Sequence, residues 1–363
     1  MATPAVKITP ASNPPVLAPS TTSVLRTSPL LVTGAPGWLA DAVLAKLATS
    51  SSPRPLIRCL VHAGFPESRL NAWRSGFSQV KETVLADLAD AASLTRVCEG
   101  LSGGTVLHSA GIIHPRKTRD WYTINRDGAL ALARAAKSAG ARRFVFISSN
   151  AAQGRSDSRD HILTEDMPDR PLSHYGRSKL EAEQGLLELH DKGRFDVVIL
   201  RPCMFYGPPV PERHIDIFKR VIKGKLPMVG DGNYARSLSY IDDLANGILL
   251  AMEHPSAPGE IFNICDRQVY TTREICEAMA KALGVAPRFW WLPSLSSSTA
   301  RVIDNTLAAI GVYSMNFHLL GEANWNVGCS SEKAQRVLGF NPQGDVREGY
   351  RQAVAWAREK GLL

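Results

Sequence analysis

The 363-residue chain has no run of about 18 uncharged apolar residues, so it offers no candidate membrane-spanning helix. Its six cysteines, Cys59, Cys98, Cys203, Cys265, Cys276 and Cys329, make no Cys-x-x-Cys pair and no zinc-finger spacing with histidine. That excludes a zinc module and a disulfide framework, and no metal site is expected. Most of the cysteines lie in apolar stretches, where a free thiol behaves as a small hydrophobe, and a reducing, cytoplasmic setting is expected. Basic residues outnumber acidic ones by 42 to 34, a net charge of +8, but no block of five or six basic residues occurs. Nucleic acid is therefore not an expected partner; a phosphate-bearing small molecule is the simpler counterpart of the positive balance. No acidic residue precedes Asp41, and residues 1–27, rich in Pro, Ser, Thr and Ala, show no apolar periodicity. They are expected to form a disordered leader without the continuous apolar segment of a secretory signal.

What is present from residue 29 onward is regular. Short apolar runs at 29–33, 56–61, 83–86, 105–108 and 143–147 alternate with helical patterns at 38–47, 91–99 and 122–139. Continuous apolar strands alternating with helices indicate a parallel sheet covered on both faces, the doubly wound α/β (Rossmann) architecture. The second half alternates less regularly, with strand-like runs at 197–200 and 260–264 and a last helix near 346–360. The expected organisation is a dinucleotide-binding domain over 28–202, with strands returning near 238–266. A smaller C-terminal substrate-binding lobe would come from 203–237 and 267–363.

Three motifs carry chemistry. Thr33-Gly34-Ala35-Pro36-Gly37-Trp38-Leu39-Ala40 joins the first strand to the first helix. A glycine turn there lets backbone approach a pyrophosphate while the helix N-terminus supplies N–H donors and positive dipole, although the same pattern also makes a plain tight turn. In Tyr175-Gly-Arg-Ser-Lys179 the helical i, i+4 spacing puts an ammonium beside a phenol. That neighbour is expected to lower the phenol pKa and poise it for proton exchange with a carbonyl/alcohol pair; a solvated Tyr/Lys pair is the alternative. Phe146-Ile-Ser-Ser-Asn150 ends a buried strand, at the edge where open α/β sheets bind ligands, and a serine there can donate to a substrate oxygen.

In this order the motifs resemble those of the extended short-chain dehydrogenases/reductases: nucleotide-sugar epimerases, dehydratases and 3β-hydroxysteroid-dehydrogenase-like enzymes. Further matching pieces are Ala-Asp-Leu-Ala-Asp (86–90), His-Ser-Ala-Gly (108–111), Asn125, Arg-Pro-Cys-Met-Phe-Tyr-Gly-Pro (201–208) and the Gly-Asp-Gly-Asn to Asp-Asp-Leu-Ala stretch (230–245). The resemblance, over about residues 29–360, implies that Gly34, Gly37, Trp38 and Leu39 surround a pyrophosphate. Asp87 and Leu88 would contact adenine, Ala110 and Gly111 would lie near a ribose, Asn125 would belong to the cofactor site, and Pro202 would flank the nicotinamide. Tyr175 would be the acid/base and Lys179 would hold the nicotinamide ribose. Ser149 is the implied serine, five residues before Gly154, with Ser148 as the alternative.

At the end of the second strand stand Val61 and His62, with Arg58 nearby and no acid before Glu67. A carboxylate there would repel a 2′-phosphate, so its absence permits NADP, and the reading leans to NADP over NAD. On the substrate side, Asn150, Met204 and Arg236 are the candidates. Arg236 could clamp a diphosphate bidentately or form a surface ion pair. Met204 and Phe289-Trp-Trp-Leu-Pro293 favour a bulkier, greasier ligand than a nucleotide sugar. The expected activity is hydride transfer between a nicotinamide cofactor and a secondary alcohol or ketone. Nucleotide-sugar epimerisation or dehydration through transient oxidation is the alternative. The resemblance also suggests a homodimer through helices near 122–139 and 175–190.

Overall fold

Seven strands form one all-parallel sheet: β1 (Leu30–Thr33), β2 (Ile57–His62), β3 (Val80–Ala86), β4 (Thr105–His108), β5 (Arg143–Ile147), β6 (Asp196–Pro202) and β7 (Ile261–Ile264). Their order across the sheet is β7-β6-β5-β4-β1-β2-β3 in the computed structural model, which describes residues 28–49 and 56–363. The expected leader lies outside the described residues. The apolar runs are continuous because the central strands are covered twice: every residue of β1, β4, β5 and β6 is buried. β3 has a partner on one side only, and Lys81, Glu82 and Leu85 on it are exposed. Charge on an edge strand discourages pairing with another chain.

Helices Trp38–Thr49 and Ile241–Glu253 cover one face, and Val43, Leu44 and Ile248 are fully buried there against Leu30 and Val32. Each such side chain contributes about 1.5–3 kcal/mol. Ala334, Leu338 and Phe340 join the same core, so part of the 267–363 segment covers the sheet rather than the smaller lobe alone. Helices Ala91–Cys98, Ala129–Ser138 and His174–Leu189 cover the other face. Leu186 is fully buried there, and Leu187 and Leu189 pack against the same core. The helix expected over 122–139 starts as a wider π-helical stretch, Trp121–Gly128, before tightening into Ala129–Ser138. π turns of this kind concentrate at functional sites.

The chain leaves β1 toward β2 and β3, then returns to the other side of β1 to make β4. The C-terminal ends of β1 and β4 therefore border the crevice where the winding reverses. Beyond that edge, short paired strands frame a third apolar core, here called the lobe. Met204–Tyr206 runs parallel to Leu238–Tyr240, and Leu226–Val229 runs parallel to Phe289–Leu292. Ala235–Arg236 lies antiparallel to Tyr270–Thr271. Tyr206, Phe218, Met228, Tyr270 and Tyr350 fill the core of this lobe. A helical hairpin, Leu295–Ala309 and Met315–Glu322, stands at its side.

Candidate functional site

The crevice begins at the turn after β1. Gly34 has φ +86°, and a Cβ there would stand 2.7 Å from Ser109 Oγ and 2.8 Å from the Ala110 nitrogen. A Cβ on Gly37 would meet the Gly34 carbonyl oxygen at 2.2 Å. Both positions need glycine, and together they bring bare backbone to the start of the helix Trp38–Thr49. The turn is stitched to the next loop: Ser109 Oγ donates to the Thr33 carbonyl at 2.6 Å, and the Ala110 N–H donates to Thr33 Oγ1 at 3.2 Å. His108 is fully buried against Thr33 Oγ1 at 2.7 Å, and burial pushes its pKa down to about 3, so it is a packed neutral imidazole.

From this turn a cavity of about 480 Å³ runs along the sheet edge between Gly34, Ala110 and Gly111 on one side and His62, Asp87 and Leu88 on the other. Its volume and glycine-lined mouth fit a dinucleotide. Phe65, Ile112 and Thr123 also line it, and motif reading missed them because each comes from a loop or helix whose facing is set by the fold. Asn125 does not face this space. Its Oδ1 accepts from the Ile112 N–H at 2.8 Å and its Nδ2 donates to the Ile112 carbonyl at 3.0 Å, so it holds the loop after β4 in place. Arg58 is turned away as well, donating to Glu82 at 2.7 Å and to the Val97 and Glu99 carbonyls.

At the other end of the crevice the two serines separate. Ser148 is buried and donates to Glu183, which pairs with the fully buried Arg201; Arg201 also reaches Asp169 at 2.8 Å. Ser149 caps the short turn Asn150–Ala152 through the Ala151 N–H at 3.2 Å, and its hydroxyl acts to lower the pKa of Tyr175. Asn150 Oδ1 lies 3.4 Å from Ser149 Oγ. Ser173 caps the helix that carries Tyr175, accepting from the Gly176 N–H at 3.2 Å, and Ala151 packs so close that Gly176 has no room for a Cβ. Serine turn and tyrosine helix are thereby held together.

The expectation that Lys179 acidifies Tyr175 is overturned. Lys179 Nζ donates to the Ile147 carbonyl at 2.9 Å and lies 4.7 Å from the Phe146 ring centre, next to Gly111. Burial lowers its own pKa to about 8. The Tyr175 phenol is instead raised, first by burial, with Glu322 adding to the shift and the Ser149 hydroxyl and the Arg213 charge opposing it. At neutral pH it keeps its proton. Arg213, at the start of the helix Glu212–Ile222, is thus the cation that acts on Tyr175; its sequence signal was only its place after the Pro208-Pro209-Val210-Pro211 loop.

Arg236 does not present its fork to the cleft either. Its Nη1 donates to the Trp325 carbonyl at 2.6 Å and its Nη2 to the carbonyls of Glu322 and Ala323, so it ties down the end of the hairpin. Met204 is half-exposed beyond the end of β6, and Pro202 is buried in its last position. Past Tyr175 a small cavity of about 40 Å³ is lined by Trp121, His174, Asp304, Tyr313, His318 and Glu322. His174 Nδ1 meets Tyr122 at 2.9 Å, His114 meets Tyr313 at 2.6 Å, and His318 bridges Asp304 at 3.0 Å and Glu322 at 3.4 Å. All six cysteines are buried and unpaired.

Comparison with known proteins agrees with this architecture. A family model described as the NAD dependent epimerase/dehydratase family matches residues 30–265. An uncharacterized protein, y4nL, of Sinorhizobium fredii is 37% identical over 94% of this chain and 98% of its own length. A ceramide reductase of Caulobacter vibrioides is 26% identical over 92% of this chain and 95% of its own. The structure of a DesIV double mutant, a dTDP-glucose 4,6-dehydratase from Streptomyces venezuelae with NAD and DAU bound, superimposes with a TM-score of 0.73. It is 25% identical, covering 92% of this chain and 99% of that one. The chain belongs to the NAD dependent epimerase/dehydratase family and is an enzyme of the extended short-chain dehydrogenase/reductase type.

Proposed function

We propose that this family member interconverts a secondary alcohol and a ketone on a sizeable substrate, with Tyr175 as the group that gives and takes the hydroxyl proton. The observation that carries the reading is the place of Lys179, one helical turn from Tyr175: its Nζ stands beside Gly111, a wall of the crevice that starts at Gly34. Ser149 orients the substrate oxygen, and the raised phenol donates its proton to that oxygen as the carbonyl becomes an alcohol. A bound nicotinamide supplies the hydride for reduction, or accepts it for oxidation. Gly34, Gly37, Trp38 and Leu39 would cradle its pyrophosphate, Asp87 and Leu88 would hold the adenine, and Ala110 and Gly111 would border a ribose. Lys179, beside Gly111, would hold the other ribose, and Pro202 would close that end. Asn125 serves the same site through the Ile112 backbone.

For the nucleotide we take NADP. His62 stands where a carboxylate would repel a 2′-phosphate, and the Arg69 guanidinium lies 5.5 Å over the ring of Phe65, which lines that end of the cavity. Net oxidoreduction is preferred over nucleotide-sugar epimerisation because the Arg236 fork is bound to helix carbonyls, and half-exposed Met204 offers the substrate an apolar contact. The epimerase reading draws on relatives such as the UDP-glucose 4-epimerase of Vibrio cholerae, 27% identical over 69% of this chain and 75% of its own. The test is to mix the purified protein with NADPH or NADH and a panel of ketones, and in parallel with UDP- and dTDP-sugars. Net cofactor consumption on ketones supports the proposal; sugar isomerisation without it selects the alternative.

A further inference from the structure

The helical hairpin presents two unlike faces. Its inner face carries Arg301, Asp304, His318 and Glu322, all turned to the small cavity beyond Tyr175. Between residues 289 and 321 Arg301 and Asp304 are the only Arg, Lys, Asp or Glu, so the outer face has none. That outer face exposes Leu295 at 73%, Val302 at 65%, Ile310 at 72% and Leu319 at 53% of their surface. Leu295, Thr299, Val302, Thr306 and Ala309 repeat at spacings of four and three, a single exposed stripe along the first helix. An open groove of about 340 Å³ between Leu295, Thr299, Ile303 and Phe317 splits this surface.

The strand entering the hairpin continues it. Trp290 is exposed at 63%, and Trp291 is half-exposed with Arg273 stacked on its ring at 5.1 Å. The pairing of Phe289 with Leu226 sets Arg288 beside Lys225 at the far end of this ribbon. Arg288 also packs on Gly224, so Lys219, Arg220, Lys223, Lys225 and Arg288 gather there, all exposed, with exposed Ile222 among them. Apolar patches of this extent mark interaction sites, and tryptophans beside basic residues suit an interface that is oily on one side and negatively charged on the other.

We propose that this surface docks the enzyme onto an anionic lipid bilayer. Trp290, Leu295, Val302 and Ile310 enter the headgroup boundary, and the lysine and arginine cluster meets the anionic headgroups. A second copy of the chain is the poorer occupant, because a two-fold contact that brings the basic clusters together opposes like charges. The proposal stands apart from the reaction proposed above, since its readout is partition and not turnover.

The test is flotation of the full-length protein with vesicles of phosphatidylcholine alone or mixed with phosphatidylglycerol, at low and high salt. Binding to the mixed vesicles only, weakened by salt, is expected. Leu295→Ser with Trp290→Ser, and separately Lys223→Glu with Lys225→Glu, should each lower the partition about tenfold or more while thermal melting stays unchanged. No flotation with either vesicle overturns the proposal, as does equal flotation with both. It is also overturned if the apolar pair leaves flotation untouched, or if Leu295→Ser converts a dimer to a monomer in sedimentation.

Discussion

The two ends of the crevice are made from different materials. The end at β1 and β4 is built mainly from backbone: Gly34, Ala35, Ala110 and Gly111 approach the cavity with almost no side chain. The end past Tyr175 is built from side chains that meet across long stretches of chain, Arg213 on one helix and His318 and Glu322 on another. A backbone wall needs glycines at fixed offsets within one strand–turn–helix unit. A side-chain wall needs only that the fold bring distant residues together. The first tolerates little variation in sequence, and the second can be refitted to a new substrate while the sheet stays as it is.

Five measurements sharpen or break this contrast. Tyr175→Phe removes the proton donor and leaves the backbone wall intact. Turnover should fall by about 10²–10⁴-fold while cofactor affinity, read by fluorescence titration, stays level. A matched loss of both would mean that the two ends are not separate. Arg201→Met leaves Glu183 buried without its cation, and chemical denaturation should report a loss of about 3–5 kcal/mol. Measured by denaturation and by turnover, Ser148→Ala should lower stability alone, whereas Ser149→Ala should lower kcat. Equal kinetic effects from the two serines would contradict the site described here.

Arg236→Ala removes charged hydrogen bonds to three carbonyls at the hairpin end and should cost about 1.5–3 kcal/mol per bond at most, less where water replaces it. Its kinetic signature should be a raised KM with cofactor affinity unchanged. The smallest effect is in pH. Lys179 loses its charge near pH 8, so activity that needs the ammonium should decline as pH rises through that value, and Lys179→Arg should remove the decline. Between about 8 and the ordinary lysine value of 10.5 the unfolded chain keeps a proton that the folded one has released. Stability should therefore rise with pH across that window.

Much of the first end could be read from the sequence for a physical reason. Doubly covered strands must be continuously apolar, so β1, β4 and β5 stand out, and the turn after β1 needs glycine at 34 and 37. The spacing of Tyr175 and Lys179 places them on one helix but not what each touches, and Lys179 turned out to hold the Ile147 carbonyl. Arg58 and Arg236 look alike in sequence as free cations near a ligand, yet both are taken up by backbone carbonyls. An arginine's partners are set by tertiary structure, and nothing local announces them. The Arg213 charge on Tyr175 and the two-faced hairpin belong to the same class.

Ser148 and Ser149 show what the alternation of an extended strand decides. Phe144 and Phe146 point to the face covered by the helix His174–Leu189, and Ser148, two positions further, follows them beneath that helix to Glu183. Odd and even positions at a strand's end therefore have different fates, one buried as mortar and one left for the solvent side. A one-residue slip of β5 would exchange their faces, setting the Ser149 hydroxyl into the masonry and turning Ser148 away from Glu183.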